Sequence, residues 1–378
     1  MTELDHRDPE PIPFLDLPAQ QAEIADEVLP RWAELFRSAA FIGGADIEEF
    51  EAEYAAYIGV DHCVAVANGT DSIELALRGV GVTAGDEVIL PANTFIATAE
   101  AVSRIGAVPV LADVDDDHLL LDPQAVESAI TPRTRVILPV HLFGQTAPMD
   151  QLLPIAARHG LQIVEDCAQS QGATSDHGRA GAMGVVGATS FYPGKNLGAA
   201  GDAGGVLTND PELALRIREL ANHGSLVKYV HSAVGMNSRL DAIHAVVLRA
   251  KLRRLEAWND ARRGAADRYR ELLSHVEGVR TPSSRPGNVD VWHLYVVRIR
   301  NRDGVLAGLG EAGIGAAIHY PTPIHLTDAY RHLGYRAGQF PIAEAAAQAI
   351  LSLPLHPHIS ADTQRRVSLE LERLVTQR

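Results

Sequence analysis

The run Thr189-Ser190-Phe191-Tyr192-Pro193-Gly194-Lys195-Asn196-Leu197-Gly198 carries one lysine on a turn between two apolar stretches. Pro193 and Gly194 disfavour any regular element there, so the turn presents Lys195 beyond the end of a strand. Upstream, Gln162-Ile163-Val164-Glu165-Asp166 reads as a buried parallel strand ending in two carboxylates. An amine condenses with a carbonyl, and an ionised carboxylate favours the protonated form of a nearby ring nitrogen. The pair suits a cofactor that carries both an aldehyde and a ring nitrogen.

Positioning such groups takes a layered fold. Strand patterns at 62–66, 88–91, 108–114, 136–140 and 162–166 alternate with helix patterns, which calls for a parallel sheet covered on both faces. Ligands of such sheets bind beyond the carboxyl ends of the strands. Thr70, Phe95, Asp166, Gln169, Ser190 and Lys195 all fall at those ends or just after them. Gly69 and Thr70 precede a helix over 72–78, for which Asp71 and Glu74 read as a capping box, and a helix start is a phosphate seat.

Glu165-Asp166-Cys167-Ala168-Gln169 and Ser190-Phe191-Tyr192-Pro193-Gly194-Lys195-Asn196-Leu197-Gly198 together resemble the signature of the pyridoxal-phosphate-dependent nucleotide-sugar aminotransferases. The likeness runs from Phe14-Leu15-Asp16-Leu17 to Leu351-Ser352-Leu353-Pro354-Leu355, nearly the whole chain. It implies the fold type I (aspartate aminotransferase-like) α/β architecture, a large mostly parallel sheet domain with a smaller C-terminal α/β domain. We set these at residues 14–250 and 251–378, with residues 1–13 disordered.

The resemblance also implies roles. Lys195 holds pyridoxal phosphate and shuttles the proton. Asp166 faces the pyridine nitrogen, with Glu165 as the weaker candidate, and Gln169 meets the phenolic oxygen. Gly69, Thr70 and Ser190 hold the phosphate, and Phe95 covers the ring. Asn237 and Arg239, in an Asn-x-Arg-x-Asp segment, reach the neighbouring subunit's site, Asn237 at the cofactor phosphate and Arg239 near the sugar's phosphates. A homodimer with shared sites follows. Ala203 stands where the family often has glycine, which negative φ would allow.

The segment His319-Tyr320-Pro321-Thr322-Pro323-Ile324-His325-Leu326, together with Val234 to Leu248, resembles members that aminate a 3-keto-6-deoxy sugar on dTDP, and the family resemblance implies glutamate or a similar amino donor. His319, Tyr320 and His325 are placed on the nucleotide-sugar side, where imidazoles between prolines would donate to phosphates or sugar hydroxyls. A 4-keto substrate or a sugar dehydratase is the alternative. Lys195 excludes dehydratases that replace this lysine by histidine, and two cysteines are too few for iron–sulfur-dependent ones.

Composition bounds the rest. A formal charge of −15 over 378 residues argues against nucleic acid as partner. It also sets a problem for a dianionic substrate, which local cations must answer. No apolar run reaches membrane-spanning length, and the polar N-terminus lacks the pattern of a signal peptide, so a cytoplasmic enzyme is expected. Cys63 and Cys167 read as buried side chains rather than a disulfide or zinc set. The acids Asp113, Asp115, Asp116 and Asp117 read as a solvated loop, with no metal site. Lys251, Arg253, Arg254, Arg262 and Arg263 read as the solvated face of a long helix, and Pro30 as a break or kink in an early one.

Overall fold

Short runs of continuous apolar residues become strands buried on both faces, as a sheet sandwiched between helices requires. In chain order the strands are β1 (His62–Val66), β2 (Glu87–Pro91), β3 (Val108–Ala112), β4 (Thr134–Ile137), β5 (Gln162–Asp166), the small hairpin β6 (Thr174–Ser175) and β7 (Gly178–Arg179), β8 (Val186–Ser190) and β9 (Gly204–Thr208). A C-terminal set follows: β10 (Val279–Arg280), β11 (Tyr295–Ile299) and β12 (Ile350–Leu353). Between them lie α1 (Leu17–Ala22), α2 (Ala25–Ser38), α3 (Ala45–Ile58), α4 (Gly69–Gly79), α5 (Ile96–Arg104), α6 (Pro123–Ala129), α7 (Met149–His159), α8 (Pro211–Ala221), α9 (Ala242–Leu273), α10 (Arg302–Glu311), α11 (Pro341–Ala349) and α12 (Ala361–Thr376). This computed structural model describes residues 10–376.

The main sheet has seven strands in the order β1-β9-β8-β5-β4-β2-β3. Only β9 runs against its neighbours, pairing antiparallel with β1 and β8. β5 and β8 lie side by side and parallel, with Asp166 opposite Ala188, so the acid and the lysine loop leave adjacent strand ends. A second sheet, β10-β11-β12, has its own core with Tyr269, Tyr295, Leu309 and Leu371. The 32-residue α9 joins the two bodies. Its first half packs on α2 through Val246, Val247 and Ala250, and its second half enters the smaller core through Ala265, Ala266 and Tyr269. A boundary between residues 250 and 251 therefore divides one continuous helix.

Several local expectations need correction. Disorder over residues 1–13 lies outside the described residues as far as residue 9. Beyond them Ile12 is buried and exchanges backbone bonds of 2.8 Å with Gly313 and Gly315. Pro30 sits inside an unbroken α2, on an exposed face where water can serve the carbonyl it leaves open. The acidic loop is not simply solvated. Arg280 bonds Asp116 and Asp117 at 2.7 and 2.6 Å, Arg298 bonds Asp116 at 2.7 Å, and Asp113 accepts from the first amides of α11 at 2.9 and 3.0 Å. The basic face of α9 is split too. Lys251 and Arg262 are 1% and 2% exposed, and Arg262 donates to the carbonyls of Trp292 and Leu355 at 3.3 and 3.1 Å. A spacing argument cannot see where α9 is covered on several sides.

Candidate active site

The strand ends meet at a cavity of about 510 Å³ lined by residues from both bodies. At its floor Asp166 closes β5, 4% exposed. Its carboxylate accepts from the Ala168 amide at 3.1 Å and from the Thr98 hydroxyl at 2.9 Å. Burial pushes its pKa up, against the pull of those two donors, of Lys195 and of His141. Lys195 projects into the same cavity, and burial lowers its pKa to about 8, with Asp166 opposing the shift. Among the described residues its ammonium has no hydrogen bond or ion pair of its own.

Glu165, one residue earlier, points the other way and is fully buried. It accepts from His141 Nε2 at 2.8 Å and from the amides of Gly181, Met183 and Gly184 at 2.6–2.9 Å. His141 Nδ1 accepts the Ala147 amide at 2.9 Å, so the ring proton sits on Nε2. His141, Glu165 and Cys167 bring possible metal-binding atoms within 4.8 Å of one another. Their bonding capacity is already used inside the core, and burial holds the Cys167 thiol well above its ordinary pKa.

The phosphate seat differs in detail from the sequence reading. α4 opens at Gly69, three residues before the expected Ser72, because the Asn68 side chain caps it by accepting the Asp71 amide at 2.8 Å. Asp71 and Glu74 pair instead with Arg104 at 3.3 and 2.9 Å. The shift puts the Gly69 and Thr70 amides in the first turn, where no helical carbonyl serves them. Ser190 lies against this turn so closely that a Cβ on Gly69 would fall 2.5 Å from Ser190 Cβ, which demands glycine.

The remaining expected residues divide. Phe95, the cap residue of α5, is 51% exposed and faces Tyr320 with ring centroids 5.2 Å apart. Gln169 is fixed by accepting the Phe143 amide at 2.7 Å and donating to the Tyr320 hydroxyl at 3.1 Å. His319 lines the cavity, bonds Ser352 Oγ at 2.8 Å, and is held down to about 4 by burial and then by Lys195. His325 is not brought there. It is 3% exposed, bonds Glu344 at 3.0 Å and packs edge-on against Phe340. Asn237 and Arg239 are exposed and lie outside the cavity lining, with Arg239 reaching, among the described residues, only Asn222 at 3.3 Å.

Sequence reasoning missed Thr98 and His293. Thr98 lies one helical turn after Phe95, a spacing that would have flagged it. His293 precedes β11 and has no local signal. Ala203 has negative φ, as its methyl group requires.

A lysine and an acid on adjacent strand ends, beside a free helix start and an exposed aromatic face, define a site for a carbonyl-bearing cofactor with a phosphate and a flat ring. The pattern of the DegT/DnrJ/EryC1/StrS aminotransferase family matches residues 22–372, and the chain belongs to that family. It is 49% identical over 361 residues to the erythromycin biosynthesis sensory transduction protein EryC1 of Saccharopolyspora erythraea, covering 96% of this chain and 99% of the relative. It is 48% identical over 356 residues to the dTDP-3-amino-3,4,6-trideoxy-alpha-D-glucose transaminase of Streptomyces venezuelae, covering 94% of each. The crystal structure of S. venezuelae DesV in complex with a ketimine intermediate superimposes with a TM-score of 0.95 at 46% identity, over 98% of this chain and 100% of that one. The chain is thus a fold type I sugar aminotransferase. Its family and a solved neighbour with bound PMP imply pyridoxal phosphate as cofactor. No helix among the described residues is long and apolar enough to cross a membrane.

Proposed function

We propose that this enzyme transfers an amino group from L-glutamate to a keto sugar carried on dTDP, at carbon 3 of a 6-deoxyhexose, in the cytoplasm. The observation that carries the reading is the convergence of Lys195 and Asp166 in one cavity, in a chain so similar to a dTDP-3-amino-trideoxyglucose transaminase.

When bound, pyridoxal phosphate supplies an electron sink and a carrier for the amino group. The amides of Gly69 and Thr70 and the hydroxyl of Ser190 would seat its phosphate. Phe95 would cover one face of the ring, Asp166 would hold the ring nitrogen protonated, and the free hydrogen on Gln169 Nε2 would serve the phenolic oxygen. Lys195 Nζ would hold the cofactor through its carbonyl and, as a neutral amine in the same cavity, would move a proton between two carbons. His319 and Tyr320 border the sugar.

Charge then points to a second chain. Among the residues lining the cavity, Lys195 is the only lysine or arginine, while Asp166 and Asp202 are acidic. A phosphorylated cofactor and a nucleotide diphosphate cannot both be neutralised by one ammonium. The homodimer we propose supplies Asn237 and Arg239 across its interface.

The test is to mix the loaded protein with glutamate and a panel of 3-keto and 4-keto dTDP sugars. Formation of 2-oxoglutarate and a 3-amino sugar nucleotide is expected. Amination of 4-keto sugars alone would move the position, and no 2-oxoglutarate at all would remove glutamate as donor.

A further inference from the structure

Among the titratable side chains that line the cavity without an assigned task, the most deeply buried is His293. It is 8% exposed, so more than nine-tenths buried, and it lines the cavity next to the Lys195 loop. Its Nδ1 lies 3.1 Å from Asn196 Oδ1. The Asn196 amide nitrogen donates to Asn259 Oδ1 at 2.9 Å and to Val291 O at 3.0 Å, so Oδ1 is an acceptor and His293 Nδ1 carries the proton. Nε2 is therefore an unprotonated acceptor, and no donor among the described residues reaches it.

The surroundings fix this arrangement. Trp292, just before it, has φ of 45°, a region that bulky residues rarely enter. A Cβ on Gly144 would fall 2.6 Å from the His293 amide nitrogen, so the two backbones meet only because residue 144 is glycine. Val291 and Leu294 donate to the carbonyls of Gly144 and Phe143 at 2.9 and 3.2 Å, clamping the segment on both sides. Burial, then the charges of Lys195 and Arg262 and the neighbouring His319, keep the imidazole neutral.

We propose that His293 positions the sugar: its Nε2 accepts a hydrogen bond from a hydroxyl of the keto sugar beside the reacting carbon. A neutral imidazole with one fixed lone pair selects an O–H donor and leaves an analogue lacking that hydroxyl unpaired. The assignment rests on the sugar aminotransferase reading above.

Two variants separate the nitrogens. His293→Asn keeps a donor near Nδ1 for Asn196 and removes the acceptor. His293→Gln places an amide oxygen near Nε2 and gives up the bond to Asn196. Loss of one buried hydrogen bond to substrate corresponds to about tenfold in affinity. The expected result is a sugar KM raised about tenfold in His293→Asn and largely restored in His293→Gln, with the glutamate half-reaction unchanged in both. His293→Asn should also lose the wild-type preference for the hydroxylated sugar over its deoxy analogue. An unchanged KM in His293→Asn, or equal damage to both half-reactions, overturns the proposal. A wild-type enzyme inactive on every keto nucleotide sugar would instead sink the functional reading.

Discussion

The floor of the cavity and the loop from Leu226 to Arg239 are built on opposite terms. On the floor each polar group has a partner or faces the cavity: Asp166 with Ala168 and Thr98, Gln169 with Phe143 and Tyr320. The loop instead holds Val227, Tyr229, Val230 and Val234 between 61% and 87% exposed, with Arg239 bound to a neighbouring asparagine. An isolated chain leaves apolar surface in water there at a cost of roughly 25 cal/mol per Å². The contrast separates what one chain completes, a cradle for the cofactor ring, from what it leaves open, the cations for an anionic sugar.

The sharpest way to break the first half is Lys195→Ala. Turnover should fall by more than roughly 10³-fold while the fold persists, as circular dichroism would show. Residual turnover within tenfold of wild type would remove the lysine from the chemistry.

The loop comes next. If the homodimer proposed above shares its sites, an Asn237/Arg239 double-alanine chain would lose two charge-assisted contacts, and its activity should drop by roughly 10²-fold. Mixed with Lys195→Ala chains, it should regain activity, because a mixed dimer has one site with both lesions and one with neither. Val234→Asp should yield monomers in sedimentation. Subunit exchange without recovered activity would return Asn237 and Arg239 to their own chain and dissolve the contrast.

An effect of similar size separates two neighbours on β5. Asp166→Asn should cost roughly 10²-fold in activity with little change in melting temperature, since Asn still bonds Ala168 or Thr98. Glu165→Gln should do the reverse. Its carboxylate serves four donors in the core, so stability should fall by about 3 kcal/mol while turnover per folded enzyme stays close to wild type. The opposite pairing of results would exchange the two roles.

That neighbour pair also shows what the sequence made legible. The strand ending in Glu165-Asp166 and the lysine turn were readable because parallel strands announce themselves as apolar runs and function gathers at their ends. Alternation along a strand put the two acids on opposite faces, yet nothing local chose which face met the cavity. His325 looked equivalent to His319 from proline spacing, and only the packing of Phe340 and Glu344 separates them. His293 and Asn196 stay hidden because their partners lie 97 residues apart in the chain. The register of α4 was misread because Asn68 outcompeted Asp71 as cap, and local patterns weigh both alike.

The smallest expected effect tests whether the floor is as closed as its geometry implies. Burial holds the Lys195 ammonium at about 8 rather than the ordinary 10.5, with Asp166 opposing. Only the deprotonated amine attaches the cofactor's aldehyde, so covalent loading should quicken about fivefold from pH 7 to 8, about twofold more to pH 9, and then level off. An amine with the ordinary value would give about tenfold per unit with no plateau in that range. The sign for stability follows from the same shift. Between about pH 8 and 10.5 the unfolded chain binds more protons at this group, so its contribution to the stability of the cofactor-free protein rises with pH across that window. Asp166→Asn removes the charge that raises the lysine, which should move the loading midpoint below 8. Absorbance stopped-flow from pH 6.5 to 9.5 on both proteins would read this. A midpoint that stays fixed, or moves upward, would mean the carboxylate and the amine do not share the cavity as closely as the structure places them.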